Sequence, residues 1–204
     1  MDNDGRFIAA GTRSSMLPVT GNLWLFDNSL GGPPGNVLWA TTLPVSTSYD
    51  GGWAGTESKS VDVKYNYYNG CVVVAAATDQ GLYLFDQFGN QIWHYMHVEP
   101  WYDETIVRIS QDGNYIVCAS YNSGTVHYFS HLHNGILGWQ AGDGTPVYTT
   151  GWDVNAFWAA ISGDGSYVAV SGWSPNRIYF INNTAASWAG AVVWWYDLPK
   201  PGYW

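Results

Sequence analysis

Basic residues are scarce in this 204-residue chain: three Lys and four Arg stand against sixteen Asp and Glu, for a formal net charge of -9. So few cations leave no basic stripe to neutralise phosphates, which argues against nucleic acid as a partner. Long apolar runs are also missing. No stretch approaches the ~18 apolar residues of a membrane span, and Met1-Asp2-Asn3-Asp4 has neither a basic nor an apolar leader region, so we expect no membrane insertion and read no signal peptide in the chain. Cysteine is limited to Cys71 and Cys118, which fall in different repeat units and are read as buried thiols rather than a disulfide.

Aromatic residues and glycine take the place of charge. With 13 Trp, 15 Tyr and 24 Gly and only 11% charged residues, stability must come from aromatic packing and tight turns more than from ion pairs. The usage of Tyr, Trp, Asn, Ser and Thr with little Lys and Glu favours an extracellular or cell-surface protein.

These residues are arranged in a phrase said four times: a turn with Gly, a short apolar strand, a second strand with aromatics, and a third with Trp or Tyr. It reads Asp4-Gly5-Arg6-Phe7-Ile8-Ala9-Ala10, Leu23-Trp24-Leu25-Phe26 and Val37-Leu38-Trp39, then Asn69-Gly70-Cys71-Val72-Val73-Val74-Ala75, Leu82-Tyr83-Leu84-Phe85 and Gln91-Ile92-Trp93. It returns as Asp112-Gly113-Asn114-Tyr115-Ile116-Val117-Cys118, Val126-His127-Tyr128-Phe129 and Pro146-Val147-Tyr148, and as Asp164-Gly165-Ser166-Tyr167-Val168-Ala169-Val170, Ile178-Tyr179-Phe180-Ile181 and Val192-Val193-Trp194. A period of roughly 40 to 65 residues filled with short strands is the signature of β-propeller blades. The predicted fold is all-β: a β-propeller of four four-stranded blades, at about 4–44, 58–98, 105–150 and 157–198, forming a single unit.

Inner strands precede three of the four turns, at Ser60 to Lys64, Ile106 to Ser110 and Ala159 to Ser162. Only Met1-Asp2-Asn3 precede the turn of the first blade, so it lacks its inner strand, and the sequence stops where a fifth blade would begin. Fifteen strands are expected. An unfinished ring leaves edges that pair with something, and two copies meeting head to tail would complete eight blades, so we expect a homo-oligomer, preferably a dimer.

Ser110-Gln111-Asp112-Gly113-Asn114-Tyr115-Ile116-Val117 and Ser162-Gly163-Asp164-Gly165-Ser166-Tyr167-Val168-Ala169 resemble the S-x-D-G-x-Y-hydrophobic segments of WD40-like and quinoprotein-like (PQQ-like) β-propeller repeats, particularly prokaryotic ones. The resemblance covers nearly the whole chain and its motif is structural: Gly5, Gly70, Gly113 and Gly165 supply positive φ, Asp112 and Asp164 cap their turns, and the aromatic packs between sheets. No Gly-His to Trp-Asp pair occurs, and the tryptophan-docking motif of quinoprotein dehydrogenases is absent, so no quinone or other cofactor is expected. Ser48-Tyr49-Asp50-Gly51-Gly52-Trp53 resembles the Asp box of sialidase-type propellers, but lacks two positions before the Trp and occurs once.

Functional residues are expected on the long connections at 43–59, 96–105 and 149–157, which gather on one face of a propeller, where rigid scaffolds present their binding loops. They carry Trp53, Glu57, Glu99, Trp101, Tyr102, Asp103, Glu104, Trp152 and Asp153. This acidic, aromatic collar suits a sugar stacked on Trp with its hydroxyls held by carboxylates, a cation held by oxygens, or simple packing between blades. Asp103 and Glu104 are sequence neighbours, whereas glycoside hydrolysis needs carboxyls facing each other across a bond. His94, His97, His127, His131 and His133 show no complete ligand set, so no metal site is expected. The reading is a non-catalytic scaffold that self-associates and binds carbohydrate or another protein; the alternatives are a lectin-like propeller and a fragment of a quinoprotein-like or glycosidase-like enzyme.

Overall fold

A computed structural model describes residues 1–11, 13–14, 23–30, 36–43, 56–57, 60–66, 70–78, 81–96, 105–120, 124–131, 139, 144–146, 148–151, 156–173, 176–183 and 192–199. Among them are seventeen strands. Blade one is the three-stranded sheet β1 (Phe7–Gly11), β3 (Leu23–Asp27) and β4 (Asn36–Thr41), with β1 innermost. Blade two is β6 (Ser60–Asn66), β7 (Cys71–Thr78), β8 (Gly81–Asp86) and β9 (Gln91–Tyr95). Blade three is β10 (Thr105–Ile109), β11 (Tyr115–Ser120), β12 (Thr125–Ser130) and β13 (Tyr148–Gly151), and blade four is β14 (Ala156–Ile161), β15 (Tyr167–Trp173), β16 (Asn176–Asn182) and β17 (Val192–Asp197). Every pairing is antiparallel between sequence neighbours within a blade, as in a meander, and among the described residues blade one has three strands where the others have four. The two strands beyond the expected fifteen, β2 (Arg13–Ser14) and β5 (Thr56–Glu57), form a short ribbon between the connections after β1 and before β6.

Three apolar cores lie between consecutive blades. Leu23, Leu25 and Phe7 of blade one meet Val63, Val72, Val74 and Phe85 of blade two. Val73, Ala75, Leu84 and Trp93 on the other face of blade two meet Ile116, Cys118 and Phe129 of blade three, and Val117, Ala119 and Tyr128 meet Val168, Val170 and Ile181 of blade four. The strictly alternating residues of β11 explain this: Ile116 and Cys118 face back, Val117 and Ala119 face forward, and all four are fully buried. Each blade thus covers its predecessor, which is repeat architecture in its nearest-neighbour form.

The turns of blades one, three and four share the bond from the Gly N–H to the carbonyl three residues before it; in blade two the Gly70 N–H reaches the Asn66 carbonyl four residues back. In blade three the Ser110 N–H donates to the Tyr115 carbonyl at 2.9 Å and the Gly113 N–H to the Ser110 carbonyl at 3.0 Å. The Ser110 hydroxyl accepts the Tyr115 N–H and donates to Asp112 Oδ1, which also accepts the Asn114 N–H at 3.1 Å. Blade four repeats this with Ser162, Asp164, Ser166 and Tyr167. Blade one uses Asp2 where blades three and four use Ser: its Oδ1 accepts the Phe7 N–H at 2.9 Å. Gly5, Gly70, Gly113 and Gly165 all lie at φ between 69° and 75°, as the turn chemistry requires.

Four expectations need correction. The last strand of blade three does not begin at Pro146, which has no N–H to give a ladder; it runs over Tyr148–Gly151, so Thr149 belongs to a strand and not to a connection, and Ala156 already begins the next. The blade-two hairpin is longer than those of its neighbours: Val73 pairs Asp86 where Phe7 pairs Asp27, so Asn66 projects two residues further than Asp2 and Gly70 one further than Gly5. Neither Cys71 nor Cys118 is in a disulfide, but only Cys118 is buried and Cys71 is half-buried, because that longer hairpin carries it beyond the core. Tyr167 does not pack between blades as Tyr115 does, because no described residue covers its face of blade four; it is 43% exposed.

Candidate functional site

Most of the predicted collar, Trp53, Trp101, Tyr102, Asp103, Trp152 and Asp153, with Glu99 and Glu104, lies outside the described residues. Glu57 is in β5, where its backbone pairs with Arg13. Among the histidines, His94 stacks on Tyr83 at 4.0 Å, buried His127 meets Tyr95 edge-on, and fully buried His131 donates through Nε2 to Asn114 Oδ1. The Asn114 amide in turn donates to Asp112 and its oxygen accepts from Asn66. These histidines therefore serve packing and turn architecture. No group of three or more His, Cys, Asp or Glu suited to a metal occurs among the described residues.

Two features that reading the sequence did not single out stand out instead. The first is the pair of sheet faces at the ends of the arc. On the outward face of blade four the rings of Tyr167, Phe180 and Trp194 form a ladder, each step 5.3 Å between centroids with planes within 13° of parallel. The pairings Trp158 with Ser171, and Ile178 with Tyr196, put Trp158 and Tyr196 on this same face. Trp158 is 65% exposed, Tyr196 60% and Trp194 47%. Blade three carries the same ladder at the matching register: Tyr115 and Tyr128 stack at 5.7 Å, 18° from parallel. There blade four covers it, leaving Tyr128 buried with its hydroxyl donating to the Gly165 carbonyl at 3.3 Å.

Blade one presents the complementary face. Ile8, Ala10 and Phe26 occupy the register positions of Val168, Val170 and Ile181 in blade four, and of Ile116, Cys118 and Phe129 in blade three. In blades three and four those residues are buried against the preceding blade; in blade one all three are only half-buried, and Val37 beside Phe26 is 51% exposed. The arc therefore ends in one face of the covering kind and one of the kind that is covered.

The second feature is an axial recess of about 390 Å³ beside the inner strands, lined by Asp62, Lys64, Arg108, Asn3, Gln111 and Ala160 among others. Asp62 fastens β6 to β10: its Oδ2 accepts the Ile109 N–H at 2.8 Å, its Oδ1 accepts the Val63 N–H at 2.9 Å, and the Lys64 ammonium lies 3.5 Å from Oδ1. Arg108 donates through Nη1 to the Ser60 hydroxyl and the Val107 carbonyl. Asn3 reaches from blade one to the Gln111 carbonyl of blade three at 3.1 Å and borders the recess.

Electrostatics elsewhere is structural. The Ser166 N–H and hydroxyl, with the Ser162 hydroxyl, hold Asp164 down to about 2. The Ser29 hydroxyl, then Arg6, hold Asp27 low. Burial raises Asp2, assisted by neighbouring Asp4. Arg177, paired with Asp197 at 2.5 Å, is held above its ordinary value by that contact and keeps Asp197 low.

No family model matches the chain, and no curated protein does. Solved β-propellers do resemble it. The β-propeller domain of Cps50 (Swd1) from Myceliophteria thermophila is 16% identical with a TM-score of 0.55, over 87% of this chain and 54% of that one. KlAtg21, solved in complex with the coiled-coil of AgAtg16, is 13% identical with a TM-score of 0.57 over 96% and 54%, and Kluyveromyces lactis Hsv2 is 14% identical with a TM-score of 0.52 over 88% and 52%. The chain spans about half the length of these propellers, and the likeness is one of fold: four blades of β-propeller type in an open arc.

Proposed function

We propose that this chain is a non-catalytic propeller scaffold that associates with a second copy of itself, head to tail, to close an eight-bladed ring used for binding or assembly. The observation that carries the reading is the repeated aromatic ladder: Tyr115 and Tyr128 are covered by the next blade, whereas Tyr167, Phe180 and Trp194 offer the same surface uncovered. Ile8, Ala10 and Phe26 sit at the register that covers such a ladder elsewhere in the chain. Exposed apolar area of this extent marks an interaction surface. A heterologous contact whose rotation closes after two copies yields a discrete ring rather than a filament. The quinoprotein-like or WD40-like character of the repeats, one structural unit over 1–204 and a surface or extracellular setting belong to this same proposal. So does a hetero-partner held by the completed ring, for which KlAtg21 bound to a coiled-coil is a precedent in fold alone.

Complementation tests it. Ile8→Asp spoils the blade-one face and Phe180→Asp the blade-four face, so each variant alone should be monomeric. Mixed, they retain one intact interface between them and should form a 1:1 heterodimer. Self-association of either variant alone, or no association in the mixture, would overturn the head-to-tail arrangement.

A further inference from the structure

The chain has only seven Lys and Arg, and two of them, Lys64 and Arg108, line one recess at the axis. Their circumstances differ from those of Arg6 and Arg177, each of which bonds a carboxylate directly, Asp27 and Asp197 respectively. Arg108 meets only neutral oxygens, the Ser60 hydroxyl at 3.3 Å and the Val107 carbonyl at 2.7 Å, and both bonds leave from the single nitrogen Nη1. The rest of its planar fork, the part that recognises oxyanions in pairs of parallel bonds, is uncommitted. The one carboxylate among the described residues lining the recess, Asp62, already accepts two backbone N–H groups, so it is engaged in joining β6 to β10. Lys64, with its side chain 15% exposed, faces Asp62 at 3.5 Å, longer than a direct hydrogen bond. Among its described lining residues the recess thus holds two cations against one carboxylate, inside a molecule of net charge -9. Such a surplus in a partly enclosed site is stabilised by an anion more than it would be in open water. The side chains of Asn3 and Gln111 border the same space, and the small Ala160 lines it with Arg108.

We infer that the axial recess is a binding site for a small oxyanion, a phosphate or a carboxylate, with Arg108 as its fork, Lys64 as a second cation and the polar rim of Asn3 and Gln111 beside it. The inference does not depend on ring closure, because every residue it uses comes from one chain.

Thermal unfolding with inorganic phosphate and, separately, malonate at constant ionic strength tests it and tells the two anion types apart. The wild type should gain about 4 °C in Tm at a tenfold excess over Kd. Arg108→Met should lose that gain for both anions, and Lys64→Met should weaken it at least tenfold. Ala160→Glu supplies an internal carboxylate: it should raise Tm without added anion and become insensitive to phosphate, a readout that survives if Arg108→Met fails to fold. No shift with either anion, or the same shift in wild type and Ala160→Glu, would overturn the site.

Discussion

Phe180 and Trp194 stack at 5.3 Å with their rings 12° from parallel, on a sheet face that nothing among the described residues covers. Two blades' worth of the same geometry exist in one molecule, one sealed and one open, so each serves as a reference for the other. Trp194→Lys should therefore leave the monomer folded, because its ring is already 47% exposed, while weakening self-association at least 100-fold by placing a charge in the interface. Circular dichroism and sedimentation velocity separate the two effects.

Asp62 anchors the inner strands of blades two and three. Asp62→Ala orphans the Ile109 and Val63 N–H groups and leaves Lys64 unpaired, and should lower stability by about 2–4 kcal/mol in urea unfolding. A loss below ~0.5 kcal/mol would mean that the inner strands are held by the apolar cores alone.

Two turn glycines with nearly equal φ should respond very differently to alanine. At Gly5, φ is +74° and a Cβ would lie 3.6 Å from the Met1 sulfur, an ordinary contact, so Gly5→Ala should cost about 1 kcal/mol for the left-handed backbone. At Gly165, φ is +73° but the Cβ would come within 2.2 Å of the Tyr115 ring, itself stacked on Tyr128, so Gly165→Ala should cost more than about 3 kcal/mol. Equal Tm losses would contradict the packing of blade four on blade three.

Acid should unfold the protein through Asp164 and Asp27, whose folded pKa values lie below the unfolded value of about 3.9. Their contribution is present above that value and is lost as pH falls through the folded values, about 2 for Asp164. Asp164→Asn should flatten this part of the Tm–pH curve. Asp2 has the opposite sign: burial raises it, so its charged form opposes folding at neutral pH. Asp2→Ser restores the residue used at Ser110 and Ser162, removes a charge beside Asp4, and should raise stability at pH 7 by about 0.5–1.5 kcal/mol.

The blades were legible in the sequence because their signals are local. The Asp112-Gly113 and Asp164-Gly165 turns, and alternation such as Ile116-Val117-Cys118-Ala119, dictate hairpins whatever lies around them. Pro146 misled the placement of the third blade's outer strand, since Val147 and Tyr148 extend its apolar run while the missing N–H forbids pairing there. The exposed sheet faces carry no local signal: Tyr115 and Tyr167 occupy the same motif position, and only the packing of blade four against Tyr115 tells them apart. The axial recess was illegible for a similar reason. Lys64 and Arg108 are 44 residues apart by numbering and look like solvent-facing positions of alternating strands, until the arc's curvature brings their strands side by side.

Absolute mass by light scattering over a dilution series tests the central claim most directly. The account predicts a discrete species of twice the 22.5 kDa chain mass that dissociates on dilution, and that Ile8→Asp converts wholly to monomer. A wild-type mass of one chain at every concentration, or an open-ended series of larger species, would contradict a closed ring of two.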